Sequence, residues 1–168
     1  MRMEDGEPQR LAALNAYGVL DTPNEPEFDR IVREAAAMLR TPIALISLID
    51  DDRQWFKAKV GLEPNETPRS ISFCTHAIRG HDIFVVEDAR EDDRFAQNPL
   101  VTGDPNIRFY AGAPLKTERG QRIGTLCVLD DKPRAELTET QAQQLQRLAE
   151  RTMQALEERR LRLARDRR

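Results

Sequence analysis

The sequence predicts an α+β protein, and three patterns predict it. Residues 43–50, 53–60, 108–115 and 122–130 are apolar or alternating segments that come in pairs joined by short polar turns, as antiparallel hairpins do. An amphipathic helical stripe precedes them. A much longer helical pattern closes the chain.

The 168 residues suit one domain with helical extensions. With 39% hydrophobic and 33% charged residues, the composition is that of a water-soluble globular protein and excludes a disordered chain. No apolar run approaches the roughly 20 residues that span a bilayer. The opening residues lack the apolar core of a secretion signal. Two distant cysteines make no disulfide framework. A cytoplasmic protein is therefore expected, with no membrane partner. The net charge of −3 gives no push toward nucleic acid.

Taken in order, residues 8–17 read as a short helix closed by Gly18. Asp21, Thr22 and Pro23 signal a turn. Residues 25–39 form a clearer helix, with Phe28, Ile31, Val32, Ala35 and Leu39 on one stripe. Pro26 fits its first turn, where a missing N–H costs nothing. Residues 43–50 are almost wholly apolar and predict a central strand buried on both faces. After the acidic turn Asp50, Asp51 and Asp52, residues 53–60 alternate. Trp55, Lys57 and Lys59 share a partly solvated face, and Phe56, Ala58 and Val60 share the other. The acidic triplet lacks the later Gly and Glu of a calcium loop, so it reads as a solvated turn.

Residues 61–69 predict a loop. The scarce chemistry follows in residues 70–79, which hold Cys74 and His76, with His81 just beyond. Ser70 or Ser72 can cap a short helix there. On a helix Cys74 and His76 point roughly 200° apart, so one can face inward while the other leans away. The segment reads as the lid or wall of a small-molecule pocket. Residues 83–87 form a short strand, and residues 88–103 a long polar loop with a helical turn near 92–96. Long ordered loops in compact domains usually serve binding. In residues 108–115 the small Ala111, Gly112 and Ala113 permit close approach. Residues 122–130 carry the second cysteine, Cys127.

Thr138 and Gln141 form the signature of a capping box, opening a helix that runs over residues 137–167. Ala142, Ala149, Leu156 and Leu163 recur every seven residues, with Leu145 and Thr152 interleaved. At 1.5 Å per residue this helix spans about 45 Å, longer than a small domain. Leu156 and Leu163 are thus expected in solvent unless a second copy covers them, and a parallel homodimer follows. The organisation expected is an N-terminal helix and linker over 1–24, a main domain over 25–150 and a C-terminal dimerisation helix over 151–168.

With the phrases SFCTHAI, VVEDAREDDRFAQNPLV, IRFYAGAPL and IGTLCVLD, the chain resembles the GAF domains of bacterial signalling proteins over residues 28–148. That resemblance implies an α/β/α sandwich-like fold: a central antiparallel sheet of five or six strands, helices on one face, and a ligand cavity on the other. Bilin-binding members attach their chromophore through cysteine directly followed by histidine, whereas here Thr75 separates Cys74 from His76. The Asn-Lys-Phe-Asp-Glu signature of cyclic-nucleotide-binding members is absent, with Asp92, Asp93 and Phe95 a partial echo. A third relative, the free methionine-(R)-sulfoxide reductase, works through a set of cysteines that this chain lacks beyond Cys74 and Cys127, so no turnover of that sulfoxide is expected.

The expected function is a small-molecule-binding sensory module that signals through its terminal helices in a dimer to a downstream protein. The ligand contacts expected are Trp55, Phe73, Cys74, His76, Tyr110 and Cys127. Binding would select one arrangement of residues 61–80 and 88–103. No catalytic residue is assigned, and the ligand and any cofactor stay open. The spacings lack a zinc pattern, and a haem could take its axial ligand only from His76 or His81. The alternatives are a thiol oxidoreductase using Cys74 and Cys127 and a ligand-free dimerisation scaffold.

Overall fold

The computed structural model describes residues 6–167; the first five residues of the 1–24 segment, and Arg168 of the basic end, lie outside them. Six antiparallel strands form one sheet in the order β3-β2-β1-β6-β5-β4. They are β1 Ile43–Ile49, β2 Arg53–Val60, β3 Glu66–Pro68, β4 Phe84–Val86, β5 Phe109–Lys116 and β6 Arg122–Asp130. Helices α1 Glu7–Asn15, α2 Pro26–Leu39 and α5 Glu139–Asp166 pack against one face. The single-turn helices α3 Cys74–Ala77 and α4 Pro99–Thr102 lie with the connecting loops on the other.

The elements form where local chemistry favours them. Pro26 opens α2, and Phe28, Ile31, Val32, Ala35 and Leu39 are its buried stripe. Thr138 accepts from the Gln141 N–H while the Gln141 side chain returns to Thr138, closing the capping box that starts α5. In β1 every residue is buried, as a central strand flanked by β2 and β6 must be. Period-two alternation then sorts its side chains: Ala44, Ile46 and Leu48 meet the helices, and Ile43, Leu45 and Ile49 meet the opposite layer.

Three features depart from expectation. The loop of residues 61–69 contains β3, a three-residue edge strand on β2. The face of β2 bearing Trp55 and Lys57 is buried, not half solvated, because residues 17–25 and the end of α5 cover it. A register shift opposite Ile46 and Ser47 makes Lys57 the extra residue of a β-bulge, so Lys57 and Ala58 both turn toward the helices. The third concerns α5. Thr152, Ala155, Leu156 and Arg159 are buried in the chain's own core, so the domain extends past 150 and Leu156 needs no partner copy. Beyond Arg159 the helix is mostly exposed, with Leu161 at 49%, although Leu163 is half-buried and Arg162 still reaches Glu25 at 3.7 Å. No helix among the described residues is long and apolar enough to cross a membrane.

Candidate functional site

The site is a cavity of about 500 Å³ on the sheet face away from the long helices. Its floor is the sheet. Ile43 and Leu45 of β1, Gln54 and Phe56 of β2, Tyr110 of β5, and Cys127 and Leu129 of β6 all reach it by strand alternation. Its walls come from Leu62, from Phe73 and Cys74 at the start of α3, and from Leu100 and Ile107. Glu63 and Asp104, both exposed, stand at the mouth, and no lysine or arginine lines it among the described residues.

Local sequence explains how the chemistry is held. Ser72 accepts from the Thr75 N–H at 3.2 Å and so sets the first turn of α3. That turn buries Cys74 and Ala77 inward. Gly112 leaves the room in which the Tyr110 ring lies. A Cβ at position 112 would fall 2.2 Å from the Tyr110 hydroxyl. The ring can therefore send its hydroxyl to Cys74 Sγ at 3.1 Å. Thr125 donates to the same sulfur at 3.0 Å, and Cys127 Sγ lies 3.9 Å from it.

Beside this group, three hydrogen bonds hold Gln54. Its Oε1 accepts from Ser47 at 2.8 Å and Ser72 at 3.0 Å, and its Nε2 donates to Thr67 at 2.9 Å. Buried polar atoms that satisfy one another in this way fix a unique floor geometry.

Burial pushes the Cys74 thiol up, but hydrogen bonds from Cys127, Thr125, Tyr110 and Ser47 outweigh it and bring the group down to about 7. Burial and the neighbouring Cys74 drive Cys127 well above its ordinary value. Tyr110 is raised for the same two reasons. Cys74 is thus the ionisable member of the pair.

Of the residues expected at the site, Phe73, Cys74, Tyr110 and Cys127 line the cavity. Trp55 does not. It pairs with Leu48 across β1 and β2, and that register places it in the helix-side core. His76 does not either. Two positions beyond Cys74 on one helical turn, it points away from the cavity, half-buried, with its ring edge-on to Phe95 at 4.9 Å. Burial, Arg79 and Arg94 lower its basicity. His81 is exposed and outside the lining. Among the described residues no group of three metal-ligating side chains comes together.

The lining residues not anticipated from sequence include Phe56, Leu45, Ile107 and Leu129. Leu129 was within reach of pattern alone, since period two from Cys127 puts it on the same face. Ile107 carried no such signal, because it follows the turn at residues 104–106.

A family model described as GAF domain matches residues 24–156. A cyclic di-GMP phosphodiesterase of Pseudomonas aeruginosa is 46% identical over 145 residues, which are 86% of this chain and 25% of that protein. The chain thus spans about a quarter of the length of the curated relative it matches. The GAF domain of a phosphoenolpyruvate-protein phosphotransferase from Coxiella burnetii superposes with a TM-score of 0.69 at 15% identity, covering 97% of this chain and 99% of that one. The free methionine-R-sulfoxide reductase of Neisseria meningitidis, solved with its substrate, superposes with a TM-score of 0.65 at 17% identity over 96% and 95% of the two chains. Likeness at that identity concerns the fold.

Proposed function

The chain belongs to the GAF domain family, and from that premise we propose that it is a cytoplasmic sensory module. It binds a compact small molecule in the cavity and passes the binding state to α5 and on to a downstream signalling protein. The observation that carries this reading is the cavity itself, a concave, mainly apolar site with a few fixed polar groups. The acidic mouth and the lack of a lining cation favour a neutral or cationic ligand over a nucleotide, whose phosphate would meet carboxylates there. The cyclic di-GMP activity in the relative's name therefore belongs, in this reading, to the portion that this chain does not span.

A physical path links cavity and helix. Phe56 lines the cavity, and its chain neighbour Lys57 faces the opposite layer. There Lys57 Nζ bonds Glu25 at 2.5 Å, Pro23 O at 2.6 Å and Thr22 at 2.9 Å. Glu25 also holds Arg159 of α5 at 2.8 Å. A shift of the Phe56–Lys57 bulge on binding would bias the seat of α5 through this one carboxylate, provided that the ligand favours one of the two arrangements.

Native mass spectrometry of the protein as purified tests for retained ligand. A neutral naphthylamine dye tests the cavity directly. Its fluorescence should rise with the wild-type protein and not with Leu100→Trp, which fills the wall. Equal enhancement by both proteins would remove the cavity from this reading.

In the same reading two copies pair along the last turns of α5, where Leu161 is exposed. Because Leu156 serves the chain's own core, the contact is short. Sedimentation equilibrium should give a weak dimer, weaker still for Leu161→Glu. A strict monomer at high micromolar concentration would leave those turns as a free helical end.

A further inference from the structure

Two thiols meet where the cavity wall joins its floor. Cys74 comes from the first turn of α3 and Cys127 from β6, both free, with sulfurs 3.9 Å apart. A disulfide needs the sulfurs at about 2.05 Å, so they must close by roughly 2 Å, within reach of side-chain rotation and a small shift of a one-turn helix. A cysteine packed only as a small hydrophobe has no use for hydroxyl donors. Cys74 Sγ accepts from two, Tyr110 and Thr125, and Thr125 stands beside Cys127 on the same strand. Those donors stabilise the anion and thus the nucleophile. Both thiols border the cavity, but Cys74 is only 1% exposed and Cys127 is wholly buried. A reagent must therefore be small and arrive through the cavity.

We propose that Cys74 and Cys127 form a dithiol that a small hydroperoxide, entering the cavity, converts to a disulfide. The Cys74 thiolate attacks the outer oxygen of ROOH. The S–O bond forms, the O–O bond breaks, and RO⁻ takes a proton to leave as the alcohol. Cys74 is then a sulfenic acid. The sulfur of Cys127 attacks Cys74, the S–S bond forms, and the hydroxyl departs with the Cys127 proton as water. The two thiols lose two electrons, and the hydroperoxide becomes ROH and water. The asymmetry of the pair supports these roles: Cys74 ionises near neutrality, and Cys127 stays protonated until its attack. The new bond would staple α3, one wall of the cavity, to the sheet. The chemistry requires no second ligand, so it stands apart from the sensory reading above.

The test is a thiol count on the wild-type protein, reduced, desalted and treated with tert-butyl hydroperoxide, then unfolded and labelled with a maleimide. Both thiols should disappear together, and dithiothreitol should restore them. Peptide mapping without reductant should join the segments holding Cys74 and Cys127 within one chain. The rate should rise as pH increases through about 7, because the reactive thiolate accumulates above the lowered pKa of Cys74. Cys127→Ser should stop at a sulfenic acid on Cys74, captured by dimedone. Cys74→Ser should keep its Cys127 thiol. Thr125→Val, which preserves shape and removes one donor, should react roughly tenfold more slowly at pH 7. Thiols that persist in the wild type, or Cys74→Ser losing Cys127 at the wild-type rate, would overturn the proposal. The wild-type count decides even if a variant fails to fold, which circular dichroism reports.

Discussion

Replacing Glu25 with alanine is expected to destabilise the protein by about 3 kcal/mol. That is the low end of what removing one partner of a buried ion pair costs, because the Glu25 side chain is itself 27% exposed. Three cations converge on this carboxylate: Lys57 at 2.5 Å, Arg159 at 2.8 Å and Arg162 at 3.7 Å. The Lys57 side chain has no exposed surface and that of Arg159 only 8%. Without Glu25 both remain buried, with only carbonyl and hydroxyl oxygens to meet them. Burial lowers the Lys57 ammonium more than Glu25 restores it. Glu25 itself is pushed up by burial but held below its ordinary value by Lys57 and Arg159, so the carboxylate is ionised at neutrality. Urea unfolding at pH 7 measures the cost. Lys57→Met combined with Glu25→Leu should recover part of it, because an apolar pair leaves less stranded charge.

The pH dependence follows from the same carboxylates. A group whose folded value is lowered contributes fully above its unfolded value and loses that contribution as pH falls through the folded one. For Glu25 the loss begins below about 4.3. Glu7, held at about 2 by Arg10 and Arg69 against its own burial, loses its share down to that pH. The wild type should therefore weaken steadily between those limits, and Glu25→Ala should weaken less over them. An equal acid response in the two proteins would contradict an ionised Glu25 at the centre of the cluster.

The sequence announces most of the sheet because its strands are long, apolar and bounded by turn residues. The α2 stripe and the Thr138 cap are equally plain. What it conceals depends on distant coverage. Trp55 and Lys57 share a face, as alternation says, but that the face is dry depends on Thr22, Glu25 and Arg159, which arrive from far along the chain. A lone tryptophan beside polar residues reads as a ligand contact, and its pairing with Leu48 sends it to the helices instead. The edge strand β3 is short and ends in Pro68, so propensity gives it no voice. Leu156 reads as exposed because helix length is visible in a sequence, whereas the linker that packs beneath the helix is not. For the site, Cys74 was legible as scarce chemistry. That Cys127 lies beside it required the strand register and the position of α3 together.

Phe95→Ala is expected to cost about 3–5 kcal/mol and to remove most dye binding from the cavity. Phe95 lies in the polar segment 88–103, yet it is 1% exposed. Its ring stacks on Phe73 with centroids 4.2 Å apart and planes within 5°. His76 meets it edge-on, and the Arg94 guanidinium lies 5.3 Å from its centre. Phe73 in turn leans on Tyr110 at 5.4 Å and forms part of the cavity wall. Phe95 thus pins a segment whose regular structure is confined to single turns, Ala89–Glu91 and α4, to α3 and, through Phe73, to the sheet. A hydrogen bond from Asn98 Nδ2 to Ile71 O at 3.0 Å adds a second tie between these loops. Truncation leaves a void beside Phe73, which then loses the stacking that holds its rotamer. Leu145→Ala is the matched control, a large-to-small change in the helix-side core with no contact to the cavity. Well below either melting transition, Leu145→Ala should bind the naphthylamine dye as the wild type does, and Phe95→Ala should not. Retained binding in a folded Phe95→Ala protein would show that the wall stands without its stack, and the 88–103 segment would lose its place in the site.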